Sequence, residues 1–540
     1  MKTDLASLIR KNPSRCWSVR GRAASGYRRA TWPSRLQFGL PITAGGLLCA
    51  VLAMALPAGA QESPPAEDDT QAAADLELVS AVERVVSRAI ARAERSVVSI
   101  ARRKRPVSAA FSADSHQGRA FGQDVENPVE TSFISGQFGT GVVVDASGLV
   151  LTNSHVLGEK PEACEFFVRT SGRKQFEMKI KANDGPSDLA VLEPVHPELC
   201  RAGDFVPITF GDGAALKKGQ VVIALGNPYG VARDGQVSAS WGIVANLSRK
   251  AVTASDDPEK TLHDFGTLIQ TDARLNLGTS GGALVNIHGE MVGLTTSLAA
   301  TSGFEQAAGY AIPIDKAFLR IIQTLKEGRE VEYGLLGIEN MILARERFPQ
   351  APHGVVVANV VQGGPAWKAR IRANDVITHV DGKPIYDFDG LRLQISKLPP
   401  ETPTTLTVLR PGETAKQRRV VLSKYPVVLR QTFAARPPTW RGITVDYRKT
   451  SRDPGFAPGF SPGLNEAHAA GCVTVREVEE GSLAWRAGLR EGMLISHVGS
   501  TPVETPGEFH KAVASQAGPV KLKLHSAGEG GKQSLVVPAE

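Results

Sequence analysis

Gly278-Thr279-Ser280-Gly281-Gly282-Ala283-Leu284 is the stretch on which the reading of this chain turns. A serine hydroxyl is a weak nucleophile near neutral pH and needs an adjacent base. Flanking glycines tighten the turn, let a substrate backbone approach, and leave N–H groups to face a developing oxyanion. The same pentapeptide is also an ordinary glycine-rich turn, so its meaning depends on its company.

Two upstream segments supply that company. Leu151-Thr152-Asn153-Ser154-His155-Val156 sets a histidine directly after a strand-like run, a position suited to a general base. Ser187-Asp188-Leu189-Ala190-Val191-Leu192 sets a carboxylate at the lip of an apolar strand, where it can fix the imidazole tautomer. Singly these read as a surface His, a turn-capping Asp and a turn Ser; together they form an ordered set. His, Asp, Ser is the chymotrypsin order, whereas an esterase of the α/β-hydrolase kind has Ser before His.

The surrounding pattern is rich in short strands. They are expected at 96–100, 141–145, 149–152, 165–168, 175–181, 189–192, 220–225, 235–246, 268–271, 282–285, 291–297 and 308–312, which suggests a barrel or sandwich. Leu78, Val82, Val85, Val86, Ala89, Ile90 and Ala93 recur at helical spacing, predicting a helix over 76–95, and a second follows over 315–327. Between strand 96–100 and residue 138 the polar stretch 102–137 reads as a long inserted loop, with Phe111, Phe121 and Phe133 as candidate contacts.

The C-terminal part contains a repeat. Ala366-Trp367-Lys368-Ala369 matches Ala484-Trp485-Arg486-Ala487, and Ile377-Thr378-His379-Val380 matches Ile495-Ser496-His497-Val498, both at the same offset. Two modules follow from this, over 331–426 and 439–540, joined by a Pro-rich linker at 427–438. Trp367 and Trp485 are expected in the module cores.

Charge and compartment come from the first residues. The chain has 540 residues and a formal charge of +7, but residues 1–60 hold nine basic residues and one acid, so the remainder is close to neutral. A nucleic-acid partner is therefore not expected. That basic stretch, an apolar run from Ile42 to Leu56, and Ala58-Gly59-Ala60 read as a cleaved export signal over 1–60, with membrane association only if it stays uncleaved. Residues 61–75, rich in Pro, Ala and acid, read as a flexible tether. Three cysteines lie beyond the signal; Cys164 and Cys200 are either a disulfide or two buried thiols. No CxxC, His-rich tract, HExxH or dinucleotide fingerprint occurs, so neither metal nor cofactor is expected.

Taken together, residues 138–335 resemble the HtrA/Deg family of exported serine proteases. The resemblance rests on Gly139-Thr140-Gly141-Val142-Val143-Val144, the His155 and Asp188 segments, Ala224-Leu225-Gly226-Asn227-Pro228-Tyr229-Gly230, Gln270-Thr271-Asp272-Ala273 and Gly309-Tyr310-Ala311-Ile312-Pro313. The two later modules resemble PDZ domains. The resemblance implies a mainly β fold, with a chymotrypsin-like double six-stranded barrel over 76–330 and two PDZ domains after it. It implies Ser280 as nucleophile, His155 as base and then acid, Asp188 as orienter, and an oxyanion hole from the backbone at Gly278, Thr279 and Ser280. Leu294, Thr295, Thr296 and Ser297 would line the primary pocket. Peptide carboxylates would meet Leu335, Leu336, Gly337 and Ile338 in the first module and Arg441, Gly442 and Ile443 in the second.

The implied activity is cleavage of unfolded or misfolded envelope proteins, in the periplasm or cell envelope, by a homo-oligomer that is a trimer or a multiple of one. Where the family usually has Asn-Pro-Gly-Asn, this chain has Asn276-Leu277-Gly278-Thr279. Leu277 lacks the fixed φ of proline and Thr279 is β-branched. Those two residues support the alternative of a catalytically silent PDZ chaperone or scaffold.

Overall fold

The computed structural model describes residues 69–105, 138–158, 160–230, 234–249, 267–296, 309–341, 353–425, 431–433, 435, 437–447, 471–525 and 534–539. Strands in the first half carry apolar residues on both faces, and the fold uses the two faces differently. β1 (Val97–Lys104), β2 (Phe138–Val143), β3 (Val150–Asn153), β4 (Cys164–Arg169), β5 (Gln175–Asp184) and β6 (Leu189–Pro194) pair in the order β5-β4-β1-β2-β3-β6. A β5–β6 pairing closes them into a barrel. β7 (Val221–Gly226), β8 (Ser238–Arg249), β9 (Leu268–Thr271), β10 (Ala283–Val285), β11 (Met291–Thr296) and β12 (Gly309–Pro313) close a second barrel, in the order β10-β11-β12-β9-β8-β7.

Successive strand residues point to opposite faces. Val98, Ile100, Val143, Val150 and Leu192 therefore fill one cluster of the first barrel, and Val222, Ala224, Leu284 and Val292 one of the second. Their neighbours Val97, Val142, Leu151, Ile223, Leu225 and Ala283 join a third cluster shared by both barrels. The alternation thus supplies two barrel interiors and the layer that welds them.

Helix α1 spans Asp69–Ala93, so the expected tether at 61–75 is helical from Asp69 onward; residues 61–68 lie outside the described residues. Ala72-Ala73-Ala74 are strong helix formers, and Asp69 is an acid where the helix dipole favours one. Ala89 and Ala93 are buried in the shared cluster, while Leu76, Leu78, Val79, Val82 and Val85 are exposed. Helix α2 (Lys316–Lys326) starts at the Asp315 carboxylate, which accepts the Phe318 N–H at 2.9 Å. β1 runs on to Lys104, past the expected start of the inserted loop; residues 106–137, with Phe111, Phe121 and Phe133, lie outside the described residues, as do 1–60.

The repeat is reproduced strand for strand. Helices Pro365–Lys368 and Leu483–Arg486 occupy matching places, as do Phe388–Ser396 and Pro506–Ala514. Strands Val376–Val380 and Leu494–Val498 each carry a bulge, between Ile377 and His379 and between Ile495 and His497. Trp367 and Trp485 are not core residues. Trp367 is 52% exposed, and Trp485 is half-buried beneath the Arg490 guanidinium, 3.8 Å from its ring centroid.

Two boundaries behave unlike linkers. Val331 and Tyr333, at the expected start of the first module, are buried in the cluster shared by the barrels. In the expected linker 427–438, Gln431–Phe433 adds a strand to β5, with Gln431 opposite Asp184. Polyproline character next to it gave no apolar alternation to reveal that strand. The two modules meet at Lys424, whose ammonium lies 2.8 Å from Glu330 and 3.1 Å from both Glu332 and Asp446. Arg476 completes the cluster at 2.6 Å from Glu330. Burial disfavours the Lys424 charge, but the three carboxylates outweigh it and raise its pKa.

Candidate active site

Strand register brings His155 and Asp188 together. β3 pairs with β6 so that Asn153 faces Leu189, which leaves His155 two residues past one strand and Asp188 one residue before the other. Asp188 adopts φ 54°, the left-handed region that Asp tolerates better than most residues. In that conformation its carbonyl accepts the Ser154 N–H at 3.0 Å and the Asn153 side-chain amide at 3.1 Å. Its carboxylate accepts the His155 backbone N–H at 2.9 Å and faces His155 Nδ1 at 2.8 and 3.0 Å. Asp188 is fully buried, while the His155 side chain keeps 30% of its surface exposed. Burial disfavours the imidazolium, but the charge and hydrogen bond of Asp188 outweigh it, so His155 titrates above the ordinary 6.5.

Ser280 arrives from the other barrel, in the loop between β9 and β10. Gly278 holds φ 95°, and a Cβ there would stand 2.5 Å from Asn227 O. Only glycine fits such a place. The loop is pinned from two sides. Thr140 of β2 donates its N–H to Ser280 O at 3.0 Å and its hydroxyl to Gly278 O at 2.7 Å. Thr295 of β11 accepts the Gly281 N–H at 2.9 Å and donates its hydroxyl to Thr279 O at 2.6 Å. Thr152, three residues before His155, donates to Thr140 O at 2.7 Å. One threonine therefore links the histidine strand to the serine loop across the seam. Sequence reading gave Thr140 and Thr152 no role in the site and expected Thr295 in the pocket wall, not as a brace of the loop. Gly139-Thr140-Gly141, a polar residue between glycines inside an apolar strand, was the available signal.

The two unusual residues take different places. Thr279 is 6% exposed, and its N–H and hydroxyl both bond Asn276 O, at 3.1 and 2.6 Å. Its β-branch closes the turn, and its N–H is engaged there, which takes Thr279 off the expected set of oxyanion donors. Leu277 is 60% exposed. The expected pocket strand is also revised: Leu294 belongs to the shared core and Thr295 braces the loop, so neither is at the surface. Thr296 is fully buried with its Oγ1 unpaired, and Ser297 lies outside the described residues. Cys164 and Cys200 are free thiols, packed in or against the first barrel's core.

The peptide loops of the two modules differ. In the first, Gly334–Leu335 pairs with Ser423–Lys424, and Leu335 to Ile338 line a groove with Leu391, Ile395 and Tyr425. In the second, Trp440 and Ile443 exchange backbone hydrogen bonds at 2.9 and 3.0 Å, so the Ile443 N–H is already occupied. Trp440 meets Phe509 edge-on at 5.7 Å, and Arg441 donates to Val537 O and Gly518 O. At the expected carboxylate site of Arg441, Gly442 and Ile443, the Ile443 N–H is thus already bonded within the chain.

Comparison with known proteins places this arrangement. Residues 139–294 match the family described as "Trypsin-like peptidase domain" and residues 334–418 that described as "PDZ domain". The periplasmic serine endoprotease DegP of Escherichia coli K12 is 31% identical over 391 residues, covering 72% of this chain and 74% of its own length. The chain belongs to the HtrA/Deg family of serine endoproteases. This HtrA/Deg protease is also 29% identical to the periplasmic pH-dependent serine endoprotease DegQ of the same organism, over 76% of this chain and 82% of the relative. Among solved structures, the HtrA-type protease AlgW with decapeptide covers 63% of this chain and 99% of its own, at 27% identity and a TM-score of 0.46.

Proposed function

We propose that this serine endopeptidase uses Ser280 as nucleophile, His155 as general base and then acid, and Asp188 to orient the imidazole. The His155 Nδ1–Asp188 carboxylate contact carries the reading, because with Nδ1–H held by the carboxylate Nε2 is left as the basic nitrogen. Ser280 Oγ gives its proton to Nε2 as it bonds the scissile carbonyl carbon. The N–H groups of Gly278 and Ser280 hold the oxyanion. His155 then protonates the leaving amine, and a water, deprotonated by His155, releases the acid and restores Ser280.

The substrates we assign are unfolded proteins outside the cytoplasm. The export-type leader and the periplasmic naming of the relatives support that location. The groove at Leu335 to Ile338 is assigned to peptide C-termini, and the second module is assigned no peptide. A homo-oligomer of trimers fits the exposed apolar residues of α1, which a monomer leaves in water. The test is labelling by a fluorophosphonate with peptide mapping, beside cleavage of unfolded casein. Adduct on Ser280 and faster cleavage than the Ser280→Ala variant are expected; equal cleavage by the two proteins sinks the reading and favours a silent scaffold.

A further inference from the structure

Asp184 ends β5, four residues before Asp188, and is 1% exposed. Its Oδ2 accepts the Ser187 N–H at 3.0 Å and the Ser187 hydroxyl at 2.5 Å. The Asp188 N–H closes the same turn on Gly185 O at 3.0 Å. Residues 184–188 are therefore wound around one buried carboxylate, and the far end of that turn presents the carboxylate that receives His155.

A third donor reaches Asp184 from the start of the first PDZ module. Tyr333, 1% exposed, donates its hydroxyl to the same Oδ2. It directly precedes Gly334, where the peptide loop begins, and its carbonyl accepts the N–H of the groove residue Tyr425 at 2.7 Å. Past the other end of the module, Gln431 of the linker segment pairs opposite Asp184. The segments flanking the module thus converge on a single residue of the protease. A buried phenol needs some acceptor; here the acceptor is a carboxylate that also holds Ser187 in the turn before Asp188.

We propose that Tyr333 is a positioning residue of the protease site, holding through Asp184 and Ser187 the turn that aims Asp188 at His155. The first PDZ module then completes the protease site as well as offering a groove. This rests on the assignment of Asp188 and His155 made above. Burial and the adjacent Asp184 charge push the Tyr333 phenol well above its usual range, so it remains a donor at every working pH. A further charged group facing the pair is Arg320 of α2, whose Nη1 donates to Glu332 O at 3.3 Å and whose own charge is favoured by Glu332.

The experiment follows the rate of fluorophosphonate labelling of Ser280 in the full chain, from about pH 5 to about pH 9, the range in which a histidine titrates. Wild type against Ser280→Ala tests the protease assignment by itself: without labelling of wild type, that assignment fails first. Given labelling, Tyr333→Phe should slow it about 5- to 30-fold, within the loss that small misplacement of a catalytic group causes. The acid-limb midpoint should also fall toward the ordinary 6.5, because a poorly aimed Asp188 holds the imidazolium less well. Asp184→Asn, nearly isosteric, should do the same and carries the test if Tyr333→Phe does not fold. The double variant should be no slower than the slower single one, as expected of one shared interaction. Labelling by the single variants within about twofold of wild type with an unmoved midpoint, or effects that multiply in the double variant, overturns the proposal.

Discussion

The two barrels contribute to the site in different ways. The first supplies His155 and Asp188 from the facing ends of neighbouring strands, so one antiparallel register, Asn153 against Leu189, fixes both. The second supplies Ser280 from a loop whose shape depends on hydrogen bonds to other elements, Thr140 of the first barrel among them. A pair set by a sheet ladder is rigid as soon as the sheet forms. A nucleophile set by a loop can be misplaced while the barrels stay intact. The difference implies that substitutions in the first barrel damage chemistry directly, and that those at the seam damage it through geometry.

The sharpest way to break this contrast is Asp188→Asn. It keeps the shape and removes the charge, and kcat should fall about 10⁴-fold, the scale known for loss of the correct tautomer in such triads. The pH profile sharpens the same point. Because His155 titrates above 6.5, the acid limb of kcat/KM in wild type should lie above that value, and it should move down in Asp188→Asn. The sign for stability is opposite: a raised histidine pKa contributes fully below about 6.5, and the contribution is lost as pH rises through the folded value.

On the loop side, Gly278→Ala forces a methyl to within 2.5 Å of Asn227 O. It should lower kcat about 10²- to 10³-fold with KM little changed, as expected when an oxyanion donor is displaced. Thr140→Val removes a hydroxyl that donates to Gly278 O and accepts the Asn227 N–H at 2.8 Å. A loss of about 1–3 kcal/mol by denaturant unfolding is expected, with kcat down roughly tenfold. If Thr140→Val costs stability but leaves kcat intact, the Thr140 N–H and Thr295 hold the loop without that hydroxyl, and the hydroxyl's link across the seam matters less than argued. The smallest effect on proteolysis belongs to Trp440→Ala. Casein cleavage should stay within about twofold of wild type, while the second module loses about 1–3 kcal/mol of packing against Phe509.

The modules show how far a repeat can be read. Their common offset and the copied helix start were legible, because such a repeat survives divergence, whereas the shared bulges appear only in the structure. That Ile443 spends its N–H on Trp440 in the second module was not legible. Trp440 stands just before the matching loop, and nothing in its local sequence says that its ring turns inward onto Phe509. Trp367 and Trp485 show the converse: bulk and repetition suggested core, yet their helices bury Ala366 and Ala484 instead and leave Trp367 exposed and Trp485 half-buried.

Resemblance to the HtrA/Deg family implied the double barrel; sequence alone determined a barrel or sandwich of short strands, the ordered His155, Asp188 and Ser280, and the two repeated modules. Each of these is written in residue type, local period or chain order, and local chemistry is enough to read it. Tertiary structure decided what joins them. Thr140 and Thr295 at the serine loop, Gln431–Phe433 on β5, the Lys424 ion cluster and the Tyr333–Asp184 bond all pair residues far apart in the chain. Such pairings carry no sequence period, because hydrogen bonds and buried charges are satisfied by whichever partner the fold brings near. The support of the site is therefore a property of the folded chain, while its reagents are a property of the sequence.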